Sequence, residues 1–402
     1  MNIEAKQAIT KTSRQGHLLR LLCAPMFLGV LAGCSNLNPM TWFADEEGEQ
    51  PAELVEISEE ADLQRLWSVN VGNGQGGKYN ELEPALDGNL IFAASQDGDV
   101  LAINVTGGDV VWRTRTRENI SGGVGAGDGM VLIGTENAEV IALAQNDGSE
   151  LWRASVTSEV LSPPQTNGDV VALQTVDDKL IALDVATGEQ RWIYEANLPV
   201  LTLRGTSRPV FVGPVVIAGF SNGTLVAVSA DDGIWRWEER VAVPQGRYDI
   251  DRVIDVDGDL LVSQNVVLAT SYQGNVMGFD IQSGRIVWGI EGSSYHGLAE
   301  GFGNLYICND RGHIIAIRNN SDNEVWRNEN LDLREVTAPT AFSNYIAVAD
   351  FEGYVHLLSQ IDGRIVGRTR VDGDGVRARL IANANTLYAF GNSGRLTALA
   401  IQ

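Results

Sequence analysis

One short pattern recurs eight times along this chain, about every forty residues. Its clearest copy, residues 182–192, is an alternating apolar strand followed by a turn that ends in Gly188 and, ten positions after the first alanine, by Trp192. Successive copies are 40, 40, 45, 51, 38, 41 and 41 residues apart. The first position of the pattern is held by Ala102, Ala142, Ala182, Ala227, Gly278, Ala316, Leu357 and Ala398. Strand repeats of this period predict an all-β protein, an eight-bladed β-propeller with four-stranded antiparallel blades.

The residue types of the repeat suit packing between blades. Strands such as residues 140–143 are apolar at every position, so both of their faces must be buried against neighbours. The glycine of the turn allows a positive φ without steric cost. The recurring tryptophan is large enough to fill the gap between adjacent blades, and we interpret it as packing rather than as an aromatic ligand cage. It occurs at Trp112, Trp152, Trp192, Trp237, Trp288 and Trp326, and Gly367 stands at the seventh position.

The two ends of the repeat array are complementary. The last copy ends at Gln402 without its outer, tryptophan-bearing strand, whereas residues 66–69 contain Trp67 without a preceding repeat strand. The terminal strands are therefore predicted to share one blade, which closes the ring and removes two exposed sheet edges. Residues 64–402 then form a single propeller domain.

The N-terminal residues have the features of an export signal. Four basic residues precede an apolar stretch at residues 21–32, which is too short to span a membrane as a helix and ends in the letters LAGC at Cys34. This ending resembles the bacterial lipobox, which implies removal of residues 1–33 and lipidation of Cys34. Ser35 after the cysteine then implies the outer membrane, and the acyl chains suffice for anchoring. The alternative is an ordinary signal peptide with a chance cysteine.

Acidic residues dominate the segment that follows, and residues 34–63 are predicted to be a solvated tether between lipid and propeller. Removal of residues 1–33 takes away four basic residues and one acidic residue, which moves the net charge from −23 to −26. A surface this acidic repels nucleic acid and anionic lipid headgroups. We therefore expect no nucleic-acid partner, and membrane contact through the lipid anchor only.

The sequence offers no clear catalytic constellation. His296, His313 and His356 lie in different repeats without the spacing of a metal site or a catalytic triad. A cluster of glycines lacks the lysine of a phosphate-binding loop and is interpreted as turns. These glycines are Gly122, Gly123, Gly125, Gly127 and Gly129. We predict no enzyme activity, no catalytic residue and no cofactor.

A run of aspartates and a single cysteine are two further possible sites in the sequence. Asp255, Asp257 and Asp259 resemble the start of a calcium loop, but Val266 holds the twelfth position, where calcium needs a bidentate carboxylate. No metal site is predicted there. Cys308 lies in an apolar strand and is predicted to be buried, with a functional thiol as the alternative.

The repeat resembles two families. Residues 182–192 are similar to the tryptophan-docking motif of the quinoprotein alcohol dehydrogenases, eight-bladed enzymes that hold pyrroloquinoline quinone and calcium. Those enzymes typically carry an adjacent cysteine pair that this chain lacks, and they are longer. The lipobox, the acidic tether and the eight repeats together resemble the BamB family of Gram-negative lipoproteins. That resemblance implies a non-catalytic scaffold on the periplasmic face of the outer membrane, which docks on BamA, contacts other subunits of the assembly complex through it, and aids insertion of β-barrel proteins.

The two longest intervals between repeats contain the candidate docking residues. Residues 197–205 form a mainly apolar loop segment that contains an arginine, and residues 248–257 form an acidic segment. Insertions between blades lie at a rim of the ring, and this mixture suits a protein-binding patch. Matching segments bind BamA in the BamB family, which implies partner-binding roles for Leu201, Leu203, Arg204, Asp255 and Asp257. The alternative is that the leucines pack inward and the aspartates cap a turn.

A dehydrogenase and a polysaccharide-binding lipoprotein are the alternative functions. A quinone-dependent dehydrogenase would contain bound quinone and calcium. A lipoprotein that binds cell-wall polysaccharide would show exposed aromatic residues in a groove, for which Tyr248, Tyr272 and Tyr295 are the candidates. Unfolded outer-membrane proteins are a further possible partner, bound by strand addition at a blade edge.

Overall fold

The computed structural model describes residues 49–78 and 80–402. The predicted signal peptide, Cys34 and the first part of the predicted tether lie outside the described residues. The described chain forms eight four-stranded antiparallel sheets, as the repeats predicted. Within this part of the chain, no helix is long and apolar enough to cross a bilayer.

The strands, in chain order, are β1 (Leu63–Asn70), β2 (Ala85–Asp87), β3 (Leu90–Ala94), β4 (Asp99–Asn104), β5 (Val110–Arg115), β6 (Ile120–Gly127), β7 (Met130–Thr135), β8 (Glu139–Ala144), β9 (Glu150–Ser155), β10 (Gln165–Thr166), β11 (Val170–Thr175), β12 (Lys179–Asp184), β13 (Gln190–Glu195), β14 (Val210–Val212), β15 (Val215–Gly219), β16 (Thr224–Ser229), β17 (Trp235–Arg240), β18 (Leu261–Ser263), β19 (Val266–Thr270), β20 (Asn275–Asp280), β21 (Ile286–Glu291), β22 (Ala299–Gly301), β23 (Asn304–Cys308), β24 (Ile314–Arg318), β25 (Glu324–Asn328), β26 (Thr340–Phe342), β27 (Tyr345–Ala349), β28 (Tyr354–Ser359), β29 (Ile365–Arg370), β30 (Ile381–Asn383), β31 (Thr386–Phe390) and β32 (Arg395–Ile401). A short 3-10 helix (Ile250–Arg252) lies between β17 and β18.

The strands are grouped into blades in chain order. Blade 1 contains β2 to β5, and each following blade takes the next four strands, up to β26 to β29 in blade 7. Blade 8 has the order β1-β32-β31-β30, with Trp67 of β1 opposite Ala398 of β32. The first strand of the fold therefore completes the last blade, which confirms the predicted ring closure.

Each repeat tryptophan except Trp288 joins its own blade to the next one through a hydrogen bond. The indole Nε1 of Trp192 donates to the main-chain oxygen of Ala230 at 2.8 Å. Its ring lies on Gly233, where a Cβ would come within 2.8 Å of the ring. Gly233 also has a φ of +68°, so the turn needs glycine for two independent reasons. Equivalent hydrogen bonds are made by Trp67, Trp112, Trp152, Trp237 and Trp326, which confirms the packing interpretation.

Trp288 is the exception to this pattern. Its Nε1 is buried without a hydrogen-bond acceptor among the described residues. The turn of the next blade has Asp322 where the other repeats have glycine. The contact between blades 5 and 6 therefore lacks the tryptophan hydrogen bond that is made at six other blade junctions.

Gly367 replaces the repeat tryptophan because another part of the chain occupies its place. We call residues 49–62 the N-terminal arm. The main-chain N–H groups of Glu60 and Ala61 both donate to the oxygen of Val366, at 2.8 and 3.1 Å. A Cβ on Gly367 would lie 2.4 Å from the oxygen of Ala61. The backbone of the arm thus covers the outer strand of blade 7.

Arginines on blades 6 and 7 hold the rest of the arm. Arg334 donates to the oxygen of Ala52 at 2.9 Å, and Arg368 donates to the oxygen of Val55 at 3.1 Å. The arm belongs to the same compact unit as the propeller, which begins at Glu49. The part of the predicted tether that the structure describes is therefore packed against the propeller.

The glycine cluster of the second blade lies in a strand rather than in turns. Gly122, Gly123, Gly125 and Gly127 belong to β6, and Gly129 lies in the following turn. A Cβ on Gly125 would come within 1.8 Å of the oxygen of Pro164. The turn interpretation was therefore wrong for four of the five glycines. Gly122, Gly123 and Gly125 allow a neighbouring backbone to approach closely.

Candidate docking site on the propeller axis

The two long insertions meet in the structure. Residues 197–205 connect β13 to β14, and residues 248–257 lie between β17 and β18. The N–H of Leu203 donates to Oδ2 of Asp255 at 2.6 Å. A Cβ on Gly205 would lie 2.3 Å from the carboxylate of Asp257, so the two loops are in tight contact. Segments from two neighbouring blades therefore build one surface.

The first insertion exposes apolar side chains to solvent. Val200 is 94% exposed, Leu198 is 52% exposed and Leu201 is 42% exposed, while Leu203 is half-buried. We call these four residues the apolar strip. Exposed apolar clusters of this kind mark interaction sites on soluble proteins. Leu198 and Val200 were not among the candidate residues, although an apolar run within a loop is a signal that could have identified them.

Arg204 is held in a fixed orientation at the end of the apolar strip. Its guanidinium makes two hydrogen bonds to the carboxylate of Glu159, at 2.8 and 2.9 Å, and a third to Oδ1 of Asn80 at 3.1 Å. The hydrogen bonds that Arg204 donates to Glu159 raise the pKa of Arg204 above its ordinary value. Part of the side chain stays exposed, so this oriented charge is accessible to a partner.

Asp255 is more deeply buried than the other four candidate docking residues. Its side chain is fully buried, and Oδ1 has no hydrogen-bond partner among the described residues. Burial raises the pKa of Asp255 to about 7. In this arrangement Asp255 acts through the backbone of Leu203, which it positions, rather than through direct contact with a partner.

A cavity of about 480 Å³ lies beside the apolar strip. Apart from Tyr272, which follows β19, its walls come from segments that precede or belong to the first strands of blades 1 to 7, so it lies on the axis of the ring. Leu203, Arg204 and Asp257 line it. The structure therefore joins three of the five candidate residues to the central channel, which sequence reasoning had placed only at a rim.

The charges of the cavity are only partly balanced. Arg208 forms ion pairs with Glu83 and with Asp259, the latter at 3.3 Å, and Arg379 lies 3.5 Å from Asp259. Asp257 forms no hydrogen bond or ion pair with any described residue through its side chain. Burial, with Asp255 close by, raises the pKa of Asp257 well above its ordinary value.

Glu81 is a second unusual carboxyl group in the cavity, and its replacement should change the pH dependence of stability. Burial and the nearby Glu83 and Asp259 raise its pKa from 4.5 to about 8. Between these values the native state holds a proton that the unfolded state releases, so stability falls as pH rises from 4.5 to 8. Glu81→Gln removes this loss. We expect its advantage over the natural chain to grow by about 2 to 4 kcal/mol between pH 5 and pH 8.

Urea unfolding at the two pH values measures this difference. Glu189→Gln is the control, because Glu189 is an exposed carboxylate in a surface turn. An advantage of Glu81→Gln that is the same at pH 5 and pH 8 would contradict the proton-holding role of Glu81.

Comparison with known proteins shows the family of the chain. The family model described as outer membrane protein assembly factor BamB matches residues 47–119 and 96–328. A protein of that name from Pseudomonas aeruginosa is 56% identical over 352 residues, which are 88% of this chain and 93% of the relative. The chain belongs to the BamB family. The predicted resemblance to the BamB family is thereby confirmed.

Solved structures agree with this membership. The crystal structure of BamB from Moraxella catarrhalis has a TM-score of 0.78 and 28% identity, and the match covers 84% of this chain and 99% of that one. A quinohemoprotein alcohol dehydrogenase from Comamonas testosteroni has a TM-score of 0.69 at 12% identity, with 86% of this chain and 78% of that chain covered. The second likeness is one of fold alone, so the dehydrogenase alternative is not favoured.

The cysteine and two of the histidines considered in the sequence are part of the packed structure of this BamB-family chain. Cys308 is buried in β23, as predicted, and burial raises the pKa of its thiol to about 12. His356 is buried against Asp350, and His313 contacts Asp332. Over residues 49–78 and 80–402, no group of three or more His, Cys, Asp or Glu side chains could hold a metal ion.

The three tyrosines considered for polysaccharide binding do not share one surface. Tyr272 and Tyr295 line the axial cavity, whereas Tyr248 is 72% exposed in the loop before β18 and does not line it. They therefore form no common aromatic groove, and the polysaccharide alternative gains no support.

Proposed function

We propose that this chain is a scaffold subunit of the outer-membrane β-barrel assembly complex and docks on the periplasmic portion of BamA. Membership of the BamB family supports the assembly role. The observation that carries the docking proposal is the apolar strip, which is exposed beside the oriented Arg204. A scaffold role requires no catalytic group.

The geometry of the strip suits an interface anchor. Val200 and Leu201 supply apolar area that a partner would remove from water, and Arg204 supplies a directed charge at the edge. Such a combination is typical of binding hot spots. The bond between Asp255 and the N–H of Leu203 orders the loop before binding, which lowers the entropy that docking must overcome.

The predicted lipid at Cys34 would determine where in the cell this docking surface lies. A lipidated Cys34 holds the propeller at the periplasmic face of the outer membrane, and the acidic surface keeps contact with the bilayer restricted to the anchor. From that position the propeller aligns unfolded outer-membrane proteins for insertion by BamA. Direct contact with these proteins would occur at blade edges.

Capture of BamA through this chain tests the docking proposal. The variant Leu201→Ala/Leu203→Ala/Arg204→Ala removes two leucines of the strip and the oriented charge, and we expect it to bind BamA about thirtyfold more weakly or worse. The measurement is the amount of BamA recovered when the detergent-solubilised native complex is purified through a tag on this chain.

Phe302→Ala/Ile361→Ala is the matched control. Both residues are exposed apolar residues in turns of other blades, 63% and 82% exposed, so the control removes similar area elsewhere. Circular dichroism verifies that all variants are folded. Retention of BamA by a folded triple variant would place the interface elsewhere. Absence of BamA with the natural chain would refute the proposed function.

A further inference from the structure

The axial cavity has the chemistry of a receptor for a cation. Among the acidic residues that line it, Glu83 and Asp259 are neutralised by arginines. Asp257 has no such partner, and His296 contributes no positive charge near neutral pH because burial lowers its pKa to about 4. Desolvation disfavours the charged form of the Asp257 carboxyl group, and a cation that enters the cavity would stabilise its carboxylate.

Two further polar groups of the cavity wall lack a partner. Asn80 and Ser162 line the cavity and are only 2% and 5% exposed. Asn80 accepts a hydrogen bond from Arg204 through Oδ1, which leaves Nδ2 without an acceptor. The hydroxyl of Ser162 likewise has no partner among the described residues. Buried polar groups are almost always hydrogen-bonded, so these two atoms would gain partners from a polar molecule bound in the cavity.

We infer that the cavity receives the guanidinium of an arginine presented by the docked partner. The guanidinium pairs with the carboxylate of Asp257, and a main-chain oxygen of the same peptide accepts from Nδ2 of Asn80. This inference rests on the proposed function, because Leu203 and Arg204 belong both to the docking surface and to the cavity wall. A partner bound at the apolar strip is therefore positioned to send a side chain into the cavity.

The size and walls of the cavity favour an arginine over other cations. A volume of about 480 Å³ lies within the range of sites that hold small organic groups. Tyr272, Leu161 and Pro163 supply aromatic and apolar walls for the planar guanidinium and its methylene stem. The described residues contain no cluster that could hold a metal ion, which argues against a divalent cation. Two oxygens of one carboxylate also match the guanidinium better than an ammonium.

Titration of the full-length chain with a small probe tests this inference. The probe is N-acetyl-arginine methylamide, and its citrulline counterpart is a neutral molecule of the same shape. Line broadening of the proton NMR signals of each probe reports binding. We expect the natural chain to bind the arginine probe at least about tenfold more tightly than the citrulline probe, since loss of one partner of a buried charge pair weakens binding strongly.

Variants locate the binding site of the probe. Asp257→Asn should abolish the preference for arginine, and Glu189→Gln, a change at an exposed carboxylate, should leave it intact. If Asp257→Asn fails to fold, Tyr272→Leu removes the aromatic wall that favours a cation and should weaken the same preference. Equal binding of the two probes to the natural chain, or an unchanged preference in folded Asp257→Asn, would overturn the inference.

The docking proposal and this inference can fail separately. The titration contains no BamA, and the capture experiment contains no probe. Loss of BamA from the triple variant, together with no arginine preference in the natural chain, would support docking and overturn the arginine site. An arginine preference together with absent BamA would support the chemistry of the cavity and refute BamA as its source.

Discussion

Arg334→Ala is expected to lower the free energy of unfolding by about 3 to 5 kcal/mol. Arg334 is 3% exposed, and its guanidinium donates to Oδ2 of the fully buried Asp350 at 2.8 Å. It also donates to Glu352 and to the oxygen of Ala52 in the N-terminal arm. The truncated variant would leave the carboxylate of Asp350 buried without its cation, which is far more costly than the loss of a surface ion pair.

Urea unfolding of Arg334→Ala and of Arg327→Ala measures this contrast. Arg327 pairs with Glu324 at 2.6 Å, but both side chains are more than one third exposed. We expect Arg327→Ala to cost no more than about 1 kcal/mol, because water solvates an exposed carboxylate after its partner is lost. Similar losses in the two variants would show that burial does not determine the effect.

Trp192→Ala should also destabilise the propeller strongly, by about 3 to 5 kcal/mol. The variant loses the ring packed on Gly233 and leaves the oxygen of Ala230 without the indole donor. Trp288→Ala should cost clearly less, since Trp288 is less completely buried and its Nε1 makes no hydrogen bond to any described residue. The two residues hold the same position of the repeat, which makes each the control for the other.

Chemical unfolding of the two tryptophan variants tests this expectation, with circular dichroism to verify that both fold. Equal losses would mean that ring volume alone decides the cost and that the hydrogen bond between blades contributes nothing measurable.

The fold could be predicted because the packing positions are themselves periodic. Ala182 and Trp192 lie opposite each other on β12 and β13, and blades 1, 2, 4, 6 and 8 repeat this pairing of an alanine with a tryptophan. Ring closure followed from the unmatched Trp67. The exception at Gly367 was visible in the sequence, but its cause was not, because the arm that replaces the tryptophan comes from the far end of the chain.

The candidate site was only partly accessible to sequence reasoning. The two long intervals identified the loops that meet, but Asp-x-Asp gives no indication that Asp255 faces inward and bonds to Leu203. The axial cavity was not foreseen. Its walls are short, non-repeating segments from seven blades, and residues such as Asn80 and Asp257 become neighbours of one cavity only when the ring closes.

The N-terminal arm has a mechanical consequence. In a chain tied to a bilayer at its N-terminus, any pull from the membrane reaches the arm before it reaches β1, the strand that closes the ring. The load falls on the contacts of the arm with the propeller. These include the bond from the N–H of Ala52 to the oxygen of Asp332, the bond from Arg334 to the oxygen of Ala52, and the paired bonds to Val366. The arm would thus take up tension from an anchored N-terminus before that tension reaches the pairing of β1 with β32.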